Sequence, residues 1–219
     1  MNDFYILRMT RFSQSFAWYE TAPSAVYSDC LRCPGCNNPI SMLHWEPPYD
    51  VVIKNPKRLG DFVAGAGGCD FLVSERFISL YKEEGLTGIH EILPINIIQM
   101  GTTKKSKQMI PPKLFGVYLL RSMTRVNYDE MGIDWMTEPS NDYCRLCGPG
   151  GGSSGGSWKS RERIVIEQDT WNGEDLFHPI NHSGTYMLSS DAADFISKYD
   201  FTNAEVIPAE QAAYSFAKD

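Results

Sequence analysis

Two Cys-x-x-Cys pairs stand far apart in the chain, Cys33-Pro34-Gly35-Cys36 and Cys144-Arg145-Leu146-Cys147. A Cys-x-x-Cys turn aims both sulfurs at one point, so two such turns supply the four thiolates of a tetrahedral Zn²⁺ site. Pro34 and Gly35 suit a tight knuckle, and Gly148 tolerates the left-handed backbone that follows one. The expected ligands are therefore Cys33, Cys36, Cys144 and Cys147. A closed site of four thiolates is structural: it holds a fold together and leaves no open position for a reacting group. Of the two remaining cysteines, Cys69 reads as an ordinary thiol. Cys30 reads the same way, but it lies three residues before Cys33 and is an alternative ligand.

Other chemistries fit the residues poorly. A thioredoxin-like reading of Cys33-Pro34-Gly35-Cys36 needs a buried strand before it and a helix starting on the first cysteine. Tyr27 to Arg32 is too polar for such a core strand. A zinc deaminase needs His-x-Glu ahead of its cysteine pair, and no histidine precedes His44. His90-Glu91 lacks the second histidine of a metalloprotease helix, and the glycines of 148–157 lack the Lys-Ser/Thr of a phosphate loop. No nucleophile elbow occurs in a supporting context. His44, His90, His178 and His182 read as core or surface residues. A non-enzymatic protein is expected.

The elements that must position the cysteines follow from patterning. Residues 21–48 are rich in Pro, Ser and Asn, which suits a knuckle and its loops rather than a helix. Phe4–Met9, Val51–Ile53, Leu114–Leu120 and Arg163–Gln168 read as strands, and Asp61–Asp70 as a small-residue loop. Phe71-Leu72-Val73 is a short strand. Ser74 then caps a helix carrying Phe77, Leu80 and Tyr81, which Gly85 ends before a strand closed by Pro94.

The pattern returns near the C-terminus. Tyr186-Met187-Leu188 precedes Ser189 and Ser190, then Ala192, Phe195, Ile196 and Tyr199 recur at helical spacing. Phe201-Thr202-Asn203-Ala204 mirrors Leu86-Thr87-Gly88-Ile89. Val206-Ile207-Pro208 mirrors Ile92-Leu93-Pro94 with a one-residue gap. A duplicated strand–helix–strand module is the expectation. Gly148–Ser157 reads as a native flexible loop. Trp171-Asn172-Gly173 reads as a turn, with Trp171 and Phe177 in the core and Glu174 and Asp175 open between structural and partner-contacting roles.

With 219 residues, 42% of them hydrophobic, the chain has material for a substantial core. The net charge is −7, and residues 171–219 carry −6 of it. That balance argues against nucleic acid and for a basic protein partner. No basic stretch followed by an apolar one opens the sequence, and no apolar run is long enough to cross a bilayer. A cytoplasmic location is expected, where thiols stay reduced and metal ligation prevails over disulfides.

The two cysteine pairs, Phe71-Leu72-Val73-Ser74-Glu75-Arg76 and Trp171-x-Gly173-x-Asp175-Leu176-Phe177, in this order, resemble the bacterial double-CxxCG motif proteins. These are immunity proteins of polymorphic toxin systems, and the resemblance runs from about Cys33 to Pro208. One departure is Asn37, where the family has Gly after the first pair; Asn also tolerates a left-handed backbone. The resemblance implies a small cytoplasmic protein that binds and neutralises a cognate toxin. The acidic excess implies a basic toxin, met by Glu174, Asp175, Asp191 and Asp194.

The expected architecture is an α+β fold with two related strand–helix–strand modules and a split Cys₄ zinc ribbon. Residues 1–170 would form an N-terminal module with knuckles near 30–40 and 141–150, and 171–219 an acidic C-terminal module, the whole being compatible with one compact domain. The rival reading is a zinc-ribbon regulatory or nucleic-acid-associated adaptor.

Overall fold

Ser74 and Ser189 each end a buried strand and begin a helix, and the two halves of the molecule are built around these junctions. The structure, a computed structural model, describes residues 3–10, 15–101, 111–139, 143–149, 157–182 and 184–215. Within them the strands are Tyr5–Arg8 (β1), Trp18–Thr21 (β2), Val26–Arg32 (β3), Pro39–Glu46 (β4), Asp50–Lys54 (β5), Phe62–Val63 (β6), Gly65–Ala66 (β7) and Phe71–Ser74 (β8). They continue with Ile89–Pro94 (β9), Asn96–Met100 (β10), Leu114–Ser122 (β11), Ile133–Thr137 (β12) and Ser157–Arg161 (β13). Leu176–Pro179 (β14), Tyr186–Leu188 (β15), Glu205–Pro208 (β16) and Tyr214–Ser215 (β17) complete them. The helices are Glu75–Glu83 (α1) and Ser190–Lys198 (α2). The fold is mostly β, with mixed sheets and few helices, which is compatible with the α+β class only in a coarse sense.

The main sheet has eight strands in the order β16-β1-β15-β14-β11-β8-β6, with β9 also paired to β11. It contains two units in matching register. In the first, Phe115 of β11 lies opposite Val73 of β8 and Pro94 of β9. In the second, Tyr5 of β1 lies opposite Leu188 of β15 and Pro208 of β16. β1 thus occupies in the second unit the place of β11 in the first. The first segment of the chain completes the last module, and β11 joins the units through a parallel pairing with β14.

Alternation along these strands separates the core. Phe71, Val73, Leu7 and Leu188 face the two helices, whose Phe77 and Phe195 rings meet at 5.8 Å. On the opposite face, Leu72 and Leu93 pack with Tyr19, Trp45, Val51 and Ile53 beneath the β10-β5-β2-β7 sheet. Ile6, Phe177 and Met187 pack there with Val126, Met131, Ile164 and Ile166.

Each helix is capped by its serine hydroxyl, which accepts from the N–H of Phe77 in α1 and of Ala192 in α2. Each hydroxyl in turn donates to an aspartate of its own unit, Ser74 to Asp61 and Ser189 to Asp175, both at 2.7 Å. The aspartates then reach across. Asp61 accepts from the N–H and Oγ1 of Thr202, and Asp175 from the N–H and Oγ1 of Thr87. Burial opposes the charge on Asp61. The Ser74 and Thr202 donors and Arg76 overcome it, holding that carboxyl below its ordinary value.

Some local expectations change. Asp61–Asp70 contains β6 and β7 rather than a continuous loop. Arg163–Gln168 forms no regular strand. Its pairing is the isolated bridge Val126–Ile166, the Ile164 N–H goes to Ala209 O, and a 3₁₀ turn follows at Gln168–Thr170. A single bridge with no consecutive pairing beside it does not make a ladder. Residues 150–156 of the glycine-serine stretch lie outside the described residues. Among the described residues no helix is long and apolar enough to cross a membrane.

Candidate metal centre

The first cysteine pair sits in the turn between β3 and β4, and the second in the segment that follows β12. The two turns share a backbone plan. Cys33 O accepts from Asn37 N, and Cys144 O from Gly148 N, each at 2.8 Å. Asn37 and Gly148 are both left-handed, with φ 62° and 72°. Asn37 therefore does the work of a glycine at this position. Cys33 N also donates to Asn38 O at 2.8 Å, which closes the first knuckle.

The four sulfurs of Cys33, Cys36, Cys144 and Cys147 all lie within 4.8 Å of one another. Cys33 Sγ is 3.8 Å from Cys144 Sγ, and Cys36 Sγ is 3.5 Å from Cys147 Sγ. Four sulfurs at about 2.3 Å from a tetrahedral zinc stand about 3.8 Å apart, so the spacing fits a metal ion of that size. All six cysteines are free thiols. The Cys147 N–H, against burial and with help from the Leu146 N–H, draws the Cys144 thiol down to about 7. Burial and the neighbouring sulfurs push Cys147 up. Sulfurs this close do not all ionise unaided, and a divalent cation at their centre would ionise them outright.

The knuckles also pack on each other. A Cβ at Gly35 would lie 3.0 Å from Leu146 Cδ1 and 3.3 Å from Cys144 Sγ, so any larger residue there makes the second knuckle give by a few tenths of an ångström. Cys33 and Cys147 are buried, whereas Cys36 is exposed. The hairpin held here has little core of its own. Trp45 is fully buried, but Val26, Leu31 and Leu43 are all more than 50% exposed. A two-stranded hairpin alone is marginal in water. This one is fixed at one end by Trp45, whose N–H donates to Tyr118 Oη at 2.9 Å, and at the other by the sulfur cluster.

Cys30 stands outside the four-sulfur group, on β3, with its N–H donating to Asp29. Cys69 is buried beside Tyr19, and burial pushes its thiol up to about 12, which suits an inert core residue. His178 is locked between Asp70 and Thr185 O. Burial, then Arg161, pulls His182 down to about 3, so it stays neutral. His44 stacks on Tyr118 at 5.1 Å.

The four acidic candidates divide into two pairs. Asp175 is engaged by Thr87 and Ser189, and Glu174 is half-buried with Oε1 accepting from Ser122 Oγ at 2.9 Å. Asp191 and Asp194 are exposed on α2. The Trp171 loop turns at Gly173, with φ 92°, and Trp171 packs edge-on against Phe4 at 5.3 Å. The reciprocal threonines were the residues that patterning left unused. The mirrored Leu86-Thr87 and Phe201-Thr202 pairs carried the signal.

Neither a scan against protein-family models nor a search of curated proteins returned a match to this chain.

Proposed function

We propose that this chain is an immunity protein that binds and neutralises a cognate antibacterial toxin, with Zn²⁺ held by Cys33, Cys36, Cys144 and Cys147 in a purely structural role. The observation that carries the reading is the four-sulfur cluster: it ties an exposed hairpin to a segment more than a hundred residues away, as a device for shaping a surface would. The stretches that carry the family resemblance support it from the scaffold side. Phe71 to Arg76 supplies β8 and the α1 cap, and Trp171 to Phe177 supplies the Asp175 clamp and β14. Zinc would contribute four strong bonds to the native state and no chemistry.

A basic toxin would approach the α2 side, where Asp191 and Asp194 are free to meet it, and long-range attraction would speed capture. Glu174 and Asp175 would shape that side from within. The protein would be cytoplasmic and non-catalytic, acting one to one.

Native mass spectrometry after co-expression with the product of the adjacent gene tests the reading. A one-to-one complex carrying one zinc per copy of this chain is expected; a chain that stays free of that partner overturns the immunity function. Cys144→Ser should lose the metal and several kcal/mol of stability, as removal of a structural zinc ligand does. An unchanged melting temperature and zinc content would reject the structural role.

A further inference from the structure

Beneath the β3–β4 hairpin lies a cavity of about 260 Å³. Its floor is β11, with Tyr118, Leu119 and Arg121, and its roof is the hairpin, with Leu31 and Met42. Arg121 lies opposite His178 in the β11–β14 pairing. Its Nη1 is buried and has no hydrogen-bond partner. A buried guanidinium nitrogen without an acceptor is costly, and burial lowers the Arg121 pKa despite the nearby Asp70.

The carboxylates that share the cavity are already engaged. Asp70 accepts from His178 Nε2 at 2.9 Å and from Leu119 N at 2.7 Å. Asp29 accepts from Cys30 N at 2.9 Å and from Arg32 Nη2 at 3.3 Å. Neither carboxylate accepts from Arg121 Nη1, and that nitrogen is left without an acceptor.

We propose that this cavity binds a small organic carboxylate, whose oxygens pair with the Arg121 guanidinium and whose apolar body lies against Leu31, Met42 and Tyr118. The guanidinium fork matches a carboxylate geometrically. Asp70 and Asp29 line the same cavity, so a phosphate dianion meets more repulsion there than a monoanion does. The volume falls below the roughly 300–1,000 Å³ of drug-sized sites, so the occupant is small. This site is independent of the toxin-binding reading and would exist whether or not that reading holds.

Titration calorimetry on the full chain with benzoate, its neutral isostere benzamide, and inorganic phosphate tests the assignment, alongside ¹⁵N spectra of the arginine side chains. Benzoate should bind saturably and move the Arg121 resonance, with benzamide and phosphate weaker by about tenfold or more, as expected for loss of a charge-assisted pair. Arg121→Met should lose the preference for benzoate. Met42→Trp, which fills the cavity from an exposed position and leaves the arginine in place, should block binding if Arg121→Met fails to fold. No saturable benzoate binding, equal binding of benzoate and benzamide, or undiminished binding in both variants would overturn the proposal.

Discussion

The two strand–helix–strand units share a clamp and differ in charge. Asp61 and Asp175 each hold their own helix-capping serine and the threonine of the other unit, and the paired backbone bonds Phe62 N to Thr202 O and Leu176 N to Thr87 O are both 3.1 Å. Two residues past the cap, however, the first unit has Arg76 and the second has Asp191. Arg76 reaches Asp61 at 3.1 Å and Tyr199 O at 2.5 Å, so the first clamp gains a third partner from its own helix. Asp191 faces solvent. The geometry of a repeat is kept by a few hydrogen-bonded contacts, while the exposed helix face is left open to diverge.

Removing the clamps gives the largest expected effect. Asp61→Ala should cost about 1–3 kcal/mol, because the partly buried Ser74 hydroxyl, Thr202 and Arg76 all lose their charged acceptor. Asp175→Ala should cost somewhat less, since no arginine depends on it. Denaturant titration measures both, and equal losses would show that Arg76 adds nothing to the first clamp. Thr87→Val and Thr202→Val should each cost about 1–2 kcal/mol. Each should be strongly non-additive with the aspartate it serves, Asp175 and Asp61 respectively; additive double mutants would break the reciprocal scheme.

The pH dependence of the first clamp follows from the sign of its shift. The Asp61 carboxyl is held below its ordinary value, so its contribution is present above the unfolded value of about 3.9 and is lost as pH falls through the lower folded value. Asp61→Asn should flatten the acid limb of the stability profile below about pH 4. An unchanged limb would mean that other carboxylates set it. Asp191→Arg, which copies the Arg76 charge into the second unit, should cost no more than about 1 kcal/mol, from losing an acid in the first turn of α2. It should weaken capture of a basic partner, most clearly at low salt, and association kinetics with the co-expressed toxin measure that.

Much of this architecture was legible in the chain. Ser74 and Ser189 announce their helices because a hydroxyl before an apolar 3.6-residue period is a local signal. The knuckles were legible for the same reason, since Cys-x-x-Cys followed by Asn37 or Gly148 encodes a turn within five residues. Arg163–Gln168 misled because Ile164 and Ile166 do alternate inward, both being buried, but pattern records burial and not whether a partner strand is present. The roles of Asp61 and Asp175 were out of reach, since each depends on a threonine in the other unit. Arg121 gave no signal at all: a single arginine at the end of a strand looks like surface charge until a hairpin closes over it.

The sequence alone determined the two helix caps, the two knuckles and the repeat, because each rests on contacts among residues a few positions apart. Only the tertiary structure decided that β1 completes the second unit, that the two cysteine pairs meet, and that Asp175 is committed inward while Asp191 faces out. Those outcomes depend on which distant segments share a sheet and a core, and that is fixed by the burial of the whole chain rather than by any local preference.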